Sequence, residues 1–226
     1  MDSRPIRPAH WQGSEDGRIY APDFGDVYAS RSGAWGQASA VFIAGCELPQ
    51  RWQQARRIRL LETGFGLGVN FLATWAALRS GGGATKLHYV SIEKHPFTRE
   101  DLRAALELSV GCAPPQLAEQ LHPLADALLA QWPPLLPGFH AIELDEQVTL
   151  TLVFGDVLEV LPEIAGRFDA FFLDGFAPDR NPQMWSPAVL GQLASMAAPG
   201  ARLSSWCVAG TVRRALAEAG FDVSKR

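Results

Sequence analysis

Four short segments of this chain combine residue types that can hold and position a small polar ligand. The first is ETGFGLGVNF, Glu62 to Phe71, in which Gly64, Gly66 and Gly68 alternate just before a helical stretch. Glycines let the backbone turn sharply and approach a ligand with no Cβ in the way. Alone, such a run is also an ordinary strand-to-helix turn. Here, however, an acid, Glu93, closes the next apolar run, where a carboxylate accepts hydrogen bonds from the two hydroxyls of a ribose. The third segment is Phe154-Gly155-Asp156-Val157. Its Asp156 suits either an adenine amino group or the N-cap of the helix that follows. The fourth is LDGFAPDRNPQMW, Leu173 to Trp185, where an apolar run closes in Asp174 and is followed by Phe176, Pro178, Asn181, Pro182, Met184 and Trp185. An acid there can hold the N–H groups of an amine, with an aromatic ring packing the group that carries it. The alternative is a rigid loop packed on the core.

The glycine segment argues against a dinucleotide. A third glycine is missing from the GxGxxG place, and a pyrophosphate on the helix N-terminus is poorly served by an acid, Glu62, at the head of the motif. A cofactor with a zwitterionic amino-acid tail, a sulfonium and no phosphate tolerates that carboxylate. S-adenosylmethionine has these properties. A nicotinamide or flavin site would also use Glu93, so an oxidoreductase stays open at this level, as does a nucleotide-binding module without turnover.

The elements that must position these residues follow from the apolar pattern. From Arg59 onward, apolar runs end in turns and are followed by helical stretches, the alternation of βαβ units with a mostly parallel sheet. Runs at Ile58 to Glu62, Leu87 to Glu93, Val148 to Phe154, Phe168 to Asp174 and Ala201 to Cys207 read as strands. Phe139 to Leu144 forms a hairpin with the third of these through Asp145-Glu146-Gln147. Helices are expected near Val69 to Arg79, Thr98 to Leu108, Gln116 to Gln131, Pro187 to Ala197 and Thr211 to Ala219. The class is therefore α/β, a Rossmann-like sheet with helices on both faces, and ligands belong at the carboxyl ends of the strands. Residues 1–57 read as an extension lying over a core of residues 58–226, with a short strand expected at Ala40 to Ala44.

Bulk properties narrow the class further. The 226 residues are 47% hydrophobic and 19% charged, with a net charge of −4, so bulk electrostatics do not favour nucleic acid and any polyanion must meet a local patch. The three cysteines are far apart and the five histidines lack metal-ligand spacing, so neither a disulfide framework nor a metal site is expected. No apolar run approaches a membrane span, and Met1 to His10 lacks the apolar region of a signal peptide, which suits a cytoplasmic protein.

Taken together, the chain resembles the methyltransferase half of the bifunctional bacterial enzymes that complete 5-methylaminomethyl-2-thiouridine at the tRNA wobble position. The resemblance runs through DVY (Asp26 to Tyr28), VF (Val41-Phe42), ETGFGLGVNFL, SIEKHPFTREDL from Ser91, LPGFH from Leu136, FGDV, LDGFAPDRNPQMW and AGTVRRALAEAGF from Ala209. It implies a class I methyltransferase sheet, S-adenosylmethionine as methyl donor and the exocyclic amine of 5-aminomethyl-(2-thio)uridine as acceptor. It further implies Glu62, Gly64, Phe65, Gly66, Gly68 and Asn70 at the methionine and sulfonium end of the cofactor. Glu93 and Lys94 fall at the ribose, Asp156 at the adenine and Asp174 facing the amine. Tyr28, Phe176, Pro178, Asn181, Met184 and Trp185 become substrate residues, with Phe176 and Trp185 against the uracil ring. Arg180, Arg213, Arg214, Lys225 and Arg226 are candidates for tRNA phosphates. The family has an acidic pair where this chain reads Gly36-Gln37, and an Asn where it reads Cys46. The chain stops at Val223 to Arg226, where the family enters its last strands and, in the two-domain form, a flavin-dependent oxidase domain. A fragment of a longer enzyme is therefore expected. The remaining alternative is a class I methyltransferase acting on another amine or small molecule.

Overall fold

The computed structural model describes residues 5–14, 18–28, 33–81 and 83–225. Arg226, one of the candidate phosphate contacts, lies outside them. The N-terminal segment forms a small antiparallel sheet of β1 (Gln12–Gly13), β2 (Ile19–Ala21) and β3 (Asp26–Val27). It is followed by α1 (Ala34–Gln37), which runs into a π-helical turn over Ala38–Ile43, and by α2 (Leu48–Trp52). The alternating part then gives β4 (Arg57–Glu62), α3 (Val69–Ser80), β5 (Lys86–Glu93), α4 (Arg99–Gly111), α5 (Pro115–Ala130), β6 (Gly138–Glu143) and β7 (Val148–Phe154). It continues through α6 (Val157–Val160), β8 (Phe168–Phe172), α7 (Pro187–Ser195), β9 (Ala197–Ser204) and α8 (Gly210–Glu218).

The large sheet has the order β6-β7-β5-β4-β8-β9, parallel throughout except for the β6–β7 hairpin. From β4 the chain moves outward to β5 and β7, then returns to the other side of β4 to lay down β8 and β9. The order therefore reverses between β4 and β8, and in an open α/β sheet a crevice forms at the carboxyl ends of the strands at that point. Glu62 ends β4, and Asp174 follows β8 by two residues.

Strand alternation divides the apolar side chains between two cores. Ile58, Leu60, Tyr89, Leu150, Leu152 and Phe172 join α3, α4, α5 and the π-helical turn in one cluster. Leu61, Val90, Ile92, Val153, Phe171 and Leu173 join α6, α7 and α8 in the other. The helix α3 has no polar face, and its residues Asn70 to Ala76 are all buried, because it lies between the sheet and the helices around it. The helix α4 is amphipathic instead, and the Thr98 side chain caps it by accepting from the Asp101 N–H at 3.1 Å.

Two expectations need correction. Ala40 to Ala44 is helical, not a strand, because Trp35, Ala38, Phe42 and Ile43 are spaced to present one buried face to α3, and Phe42 meets Phe172 with ring centroids 5.1 Å apart. The last strand begins at Ala197 and ends at Ser204, so Trp206 and Cys207 fall in the loop beyond its carboxyl end. The hairpin turn at Asp145 is as expected: its Oδ1 accepts from the N–H groups of Gln147 and Val148, both at 2.8 Å, and its Oδ2 from Trp75 Nε1 at 2.8 Å.

Phe42 has no exposed surface, so Phe42→Ala should leave a cavity and lower unfolding free energy by about 3–5 kcal/mol in urea denaturation. A loss below about 1 kcal/mol would mean that the π-helical turn adds little to this core.

Candidate functional site

A cavity of about 290 Å³ opens where the sheet order reverses. Its floor is the loop after β4, Thr63 to Leu67, with Val69 and Asn70 from the start of α3. One wall is Ile92 to His95 after β5 and Gly155 to Val157 after β7; the other is Asp174 to Phe176, Asn181, Gln183, Met184 and Trp206. The N-terminal segment closes it with Phe24, Asp26, Val27, Tyr28, Ala34 and Gln37.

The glycine loop needs its glycines for distinct reasons. Gly66 and Gly68 have φ of 54° and 74°, in the left-handed region that L side chains disfavour, and Gly68 is the N-cap of α3. A Cβ at Gly64 would stand 3.1 Å from the Asp174 carbonyl oxygen, so the two strand ends approach backbone to backbone there. Thr63 Oγ1 fastens the same carbonyl by donating to it at 2.8 Å.

Beneath the loop, Asn70 Nδ2 donates to Glu62 Oε1 at 2.9 Å and to Asp174 Oδ2 at 2.7 Å, bridging two carboxyl groups. Glu62 is fully buried, and its Oε2 is 2.7 Å from Ser91 Oγ. Burial, with the charge of Asp174 nearby, pushes its pKa from 4.5 up to about 8, against the opposing hydrogen bonds of Ser91 and Asn70. The buried Tyr89 hydroxyl stands beside this carboxyl and also opposes the shift. Burial raises Asp174 as well, opposed by N–H groups from Gly175, Asn70 and Trp206. Asp174 Oδ1 accepts from Gly175 N at 2.8 Å and from Trp206 Nε1 at 2.9 Å. A carboxylate has about four acceptor positions, so one remains, on Oδ2.

Glu93 is arranged differently. Oε2 accepts from Gly66 N and Oε1 from His95 N, each at 2.8 Å, which leaves one acceptor position on each oxygen. Asp156 caps α6 by accepting from Leu158 N at 2.9 Å, and its other oxygen pairs with Lys94 Nζ at 2.8 Å. Its pKa is lowered by Lys94 and the Leu158 N–H despite the opposing effect of burial.

Most of the residues singled out in the sequence thus meet at one cavity. Glu62 and Gly68 lie beneath it, and Pro178 and Trp185 stand outside its lining. Trp185 is buried and donates from Nε1 to the Phe176 carbonyl at 2.8 Å, so it braces the loop. Phe176 does face the cavity, stacked on Phe24 at 4.3 Å and edged by Tyr28 at 5.2 Å. Arg180 packs beside Gly25 near this rim, while Arg213 and Arg214 are exposed at the start of α8 and Lys225 near the chain end. Sequence reading missed Phe24, Asp26, Gln37, His95 and Trp206 as cavity residues. The first three sit in the extension, and no local pattern reveals which of its residues turn into the cavity. Asp26 helps fix that return by accepting from Ala177 N at 3.0 Å.

Among the described residues, no group of three or more His, Cys, Asp or Glu side chains gathers as a metal site, and no helix is long and apolar enough to cross a membrane.

Comparison with known proteins places this geometry in context. Residues 119–226 match a family model described as S-adenosyl-L-methionine-dependent methyltransferase. The tRNA 5-methylaminomethyl-2-thiouridine biosynthesis bifunctional protein MnmC of Burkholderia thailandensis is 50% identical over 97% of this chain, which covers 33% of that protein. The protein of the same description from Cupriavidus necator is 50% identical over 98% of the chain, again covering 33% of the relative. The chain therefore spans about a third of the length of these relatives. The crystal structure of MNMC2 from Aquifex aeolicus superposes with a TM-score of 0.76 at 22% identity, covering 96% of this chain and 65% of that one, and so shares the fold.

A testable consequence concerns Glu62. An acid whose folded pKa lies above its unfolded value stabilises the fold most while both states are protonated; that contribution is lost as pH rises from 4.5 toward about 8. Between about pH 5 and pH 8 the protein should lose a few kcal/mol more unfolding free energy than Glu62→Gln does. Equal pH slopes in urea titrations of the two proteins would show that Glu62 is ionised throughout.

Proposed function

We propose that the chain is an S-adenosyl-L-methionine-dependent methyltransferase, the methyltransferase part of a bifunctional tRNA 5-methylaminomethyl-2-thiouridine biosynthesis protein, a reading supported by the family model over residues 119–226 and by relatives 50% identical over nearly the whole chain. It transfers a methyl group to the exocyclic amine of 5-aminomethyl-(2-thio)uridine at the tRNA wobble position, giving the methylaminomethyl form. The observation that carries this reading is the placement of Asp174. It faces the same cavity as the glycine loop, with a single acceptor position left for an N–H.

The residues present suit the cofactor. Gly64 to Gly68 form a cradle that a Cβ would obstruct, with Glu62 and Asn70 beneath it for the cationic methionine and sulfonium end. The two open acceptor positions of Glu93 match a ribose diol. Asp156, held by Lys94, is the acceptor for the adenine amino group, which makes Lys94 an indirect contributor. When bound, S-adenosylmethionine supplies a methyl carbon activated by a positively charged sulfur.

The protein's share of the chemistry is positioning in a site shielded from water. The amine must present a lone pair, yet an alkylamine with a pKa of roughly 8–10 is mostly protonated near neutrality. Asp174 favours the ammonium form, so its role is to orient the amine once a proton has left to solvent, accepting an N–H at the open Oδ2 position. Phe176, backed by Phe24 and Tyr28, packs the uracil ring, which must be splayed from the anticodon stack to enter. Asn181 and Met184 complete that wall, and Pro178 and Trp185 stiffen the loop that carries it. Arg180, Arg213, Arg214 and Lys225 are the proposed phosphate contacts, exposed cations on a chain of net charge −4. A cytoplasmic location and a flavin-dependent oxidase domain in the same polypeptide complete the proposal. Their support is the tRNA substrate, the word bifunctional in the relatives' names and the relatives' greater length.

Calorimetry should show binding of S-adenosylmethionine and its demethylated product but not of NAD. Glu93→Ala should weaken the former by roughly 1.5–3 kcal/mol, the scale of hydrogen bonds to a charged group. Unchanged affinity would remove Glu93 from the ribose. Asp174→Ala should keep cofactor affinity within about tenfold while methyl transfer to the aminomethyl uridine falls at least about a hundredfold. Asp174→Asn should retain more activity than Ala, since its amide oxygen still accepts. If binding collapses together with turnover, Asp174 belongs to the cofactor or to folding instead.

A further inference from the structure

Trp206 has no place in the motifs that suggested the site, yet it makes two separate contributions to it. Its indole Nε1 donates to Asp174 Oδ1 at 2.9 Å, and its half-buried ring lines the cavity on the side of Phe176 and Met184. The ring is held rather than loose. It meets Trp185 edge to face, with centroids 6.0 Å apart and planes at 83°, and it packs against both apolar clusters, one on each face of the sheet. It stands just beyond the carboxyl end of β9, in the loop that leads to α8.

We propose that Trp206 is the positioning residue of Asp174 and, through its ring, a specificity-determining wall for the base that carries the amine. The hydrogen-bond pattern gives the reason. Gly175 N and Trp206 Nε1 fill both acceptor positions of Oδ1, so an incoming N–H can be received only at Oδ2, beside Asn70. Without the indole N–H, a second acceptor position opens on Oδ1 and the carboxylate can bind an amine or a water in more than one orientation. Reaction requires one alignment of nitrogen lone pair and methyl carbon, so alternative poses reduce turnover more than binding. The ring does a different thing: a large flat apolar surface on the same wall as Phe176 and Met184 favours a planar base over a flexible alkylamine.

This inference rests on the proposed reaction, and two substitutions separate its two parts. Trp206→Phe keeps a ring and removes the N–H; Trp206→Leu removes both. On the 226-residue chain, with S-adenosylmethionine and tRNA bearing aminomethyl uridine, Trp206→Phe should lower kcat about tenfold with KM for tRNA within about twofold. Trp206→Leu should show the same fall in kcat and raise KM by about fivefold or more, the scale of a lost base–aromatic contact. Turnover is expressed per cofactor-binding site, so misfolded protein does not count. In an Asp174→Ala background, Trp206→Phe should have no further effect on kcat, because the residue acts through that carboxylate. A merely structural role would lower activity equally in both backgrounds, and that result overturns the positioning role. So does wild-type kcat in Trp206→Phe, while a Leu variant with unchanged KM overturns the wall. If the unsubstituted chain binds cofactor but leaves the tRNA unmethylated, the proposed reaction itself fails and the role of Trp206 in it falls too. Activity in the unsubstituted chain with indifferent variants sinks only the inference.

Discussion

Two carboxyl groups end the strands between which the sheet reverses its order, and a single amide, that of Asn70, donates to both. Glu62 has no solvent, and Asp174 meets only the cavity. Placing two acids this close is costly unless donors surround them or one keeps its proton. Both devices are present: Ser91 and Asn70 serve Glu62, and Gly175, Trp206 and Asn70 serve Asp174. Burial and the nearby charge of Asp174 raise Glu62, so of the two it is the acid pushed toward keeping its proton. The rest of the site depends on this arrangement. A buried α3 is required to bring Asn70 to the junction, and Gly64 must lack a side chain for β4 and β8 to end so near each other.

A site with this charge pattern suits a cationic ligand better than a phosphate. The acids lie under the glycine loop, where a dinucleotide would bring its pyrophosphate, and the carboxylate of Glu93 is already drawn to the Gly66 N–H. That bond removes a backbone donor from the phosphate-binding role that a helix N-terminus otherwise fills. The same bond ties the carboxyl end of β5 to the turn after β4, so one residue both shapes the loop and retains acceptor capacity for a ligand.

The cavity is completed from outside the sheet. Phe24, Asp26 and Tyr28 come from the small N-terminal sheet, and the loop after β8 receives them through the Asp26 contact to Ala177 N and the Phe24–Phe176 stack. Dispersion and ring packing join two segments far apart in sequence, which makes the cavity wall a tertiary feature on both sides. The Phe176 loop owes its shape to such contacts as well: the indole N–H of Trp185 holds the Phe176 carbonyl, and Gly175, with φ of 149°, leaves room for the Met184 sulfur.

How much of this was legible in the sequence depends on the range of the interaction involved. Runs such as Val148 to Phe154, with apolar residues on both faces, announce buried parallel strands, and the glycines after Glu62 announce a strand-to-helix turn, because both are set by local sterics and alternation. Glu62, Glu93, Asp156 and Asp174 could be picked out because each stands at the end of a core strand, where open α/β sheets place their ligands. The helix at Ala38–Ile43 was not legible, since a short run of small and β-branched residues fits either state until α3 and Phe172 provide a surface to pack on. Nor was the division of labour between Phe176 and Trp185, or the place of Lys94 on Asp156. Trp206 was hidden for a related reason. Its surroundings, Leu203 to Cys207, read as more strand, and only the end of pairing with β8 at Ser204 turns it toward Asp174. Local pattern determined where the strands lie and which acids end them; the tertiary structure alone decided what each acid touches, because those partners come from elements that the sequence does not place beside one another.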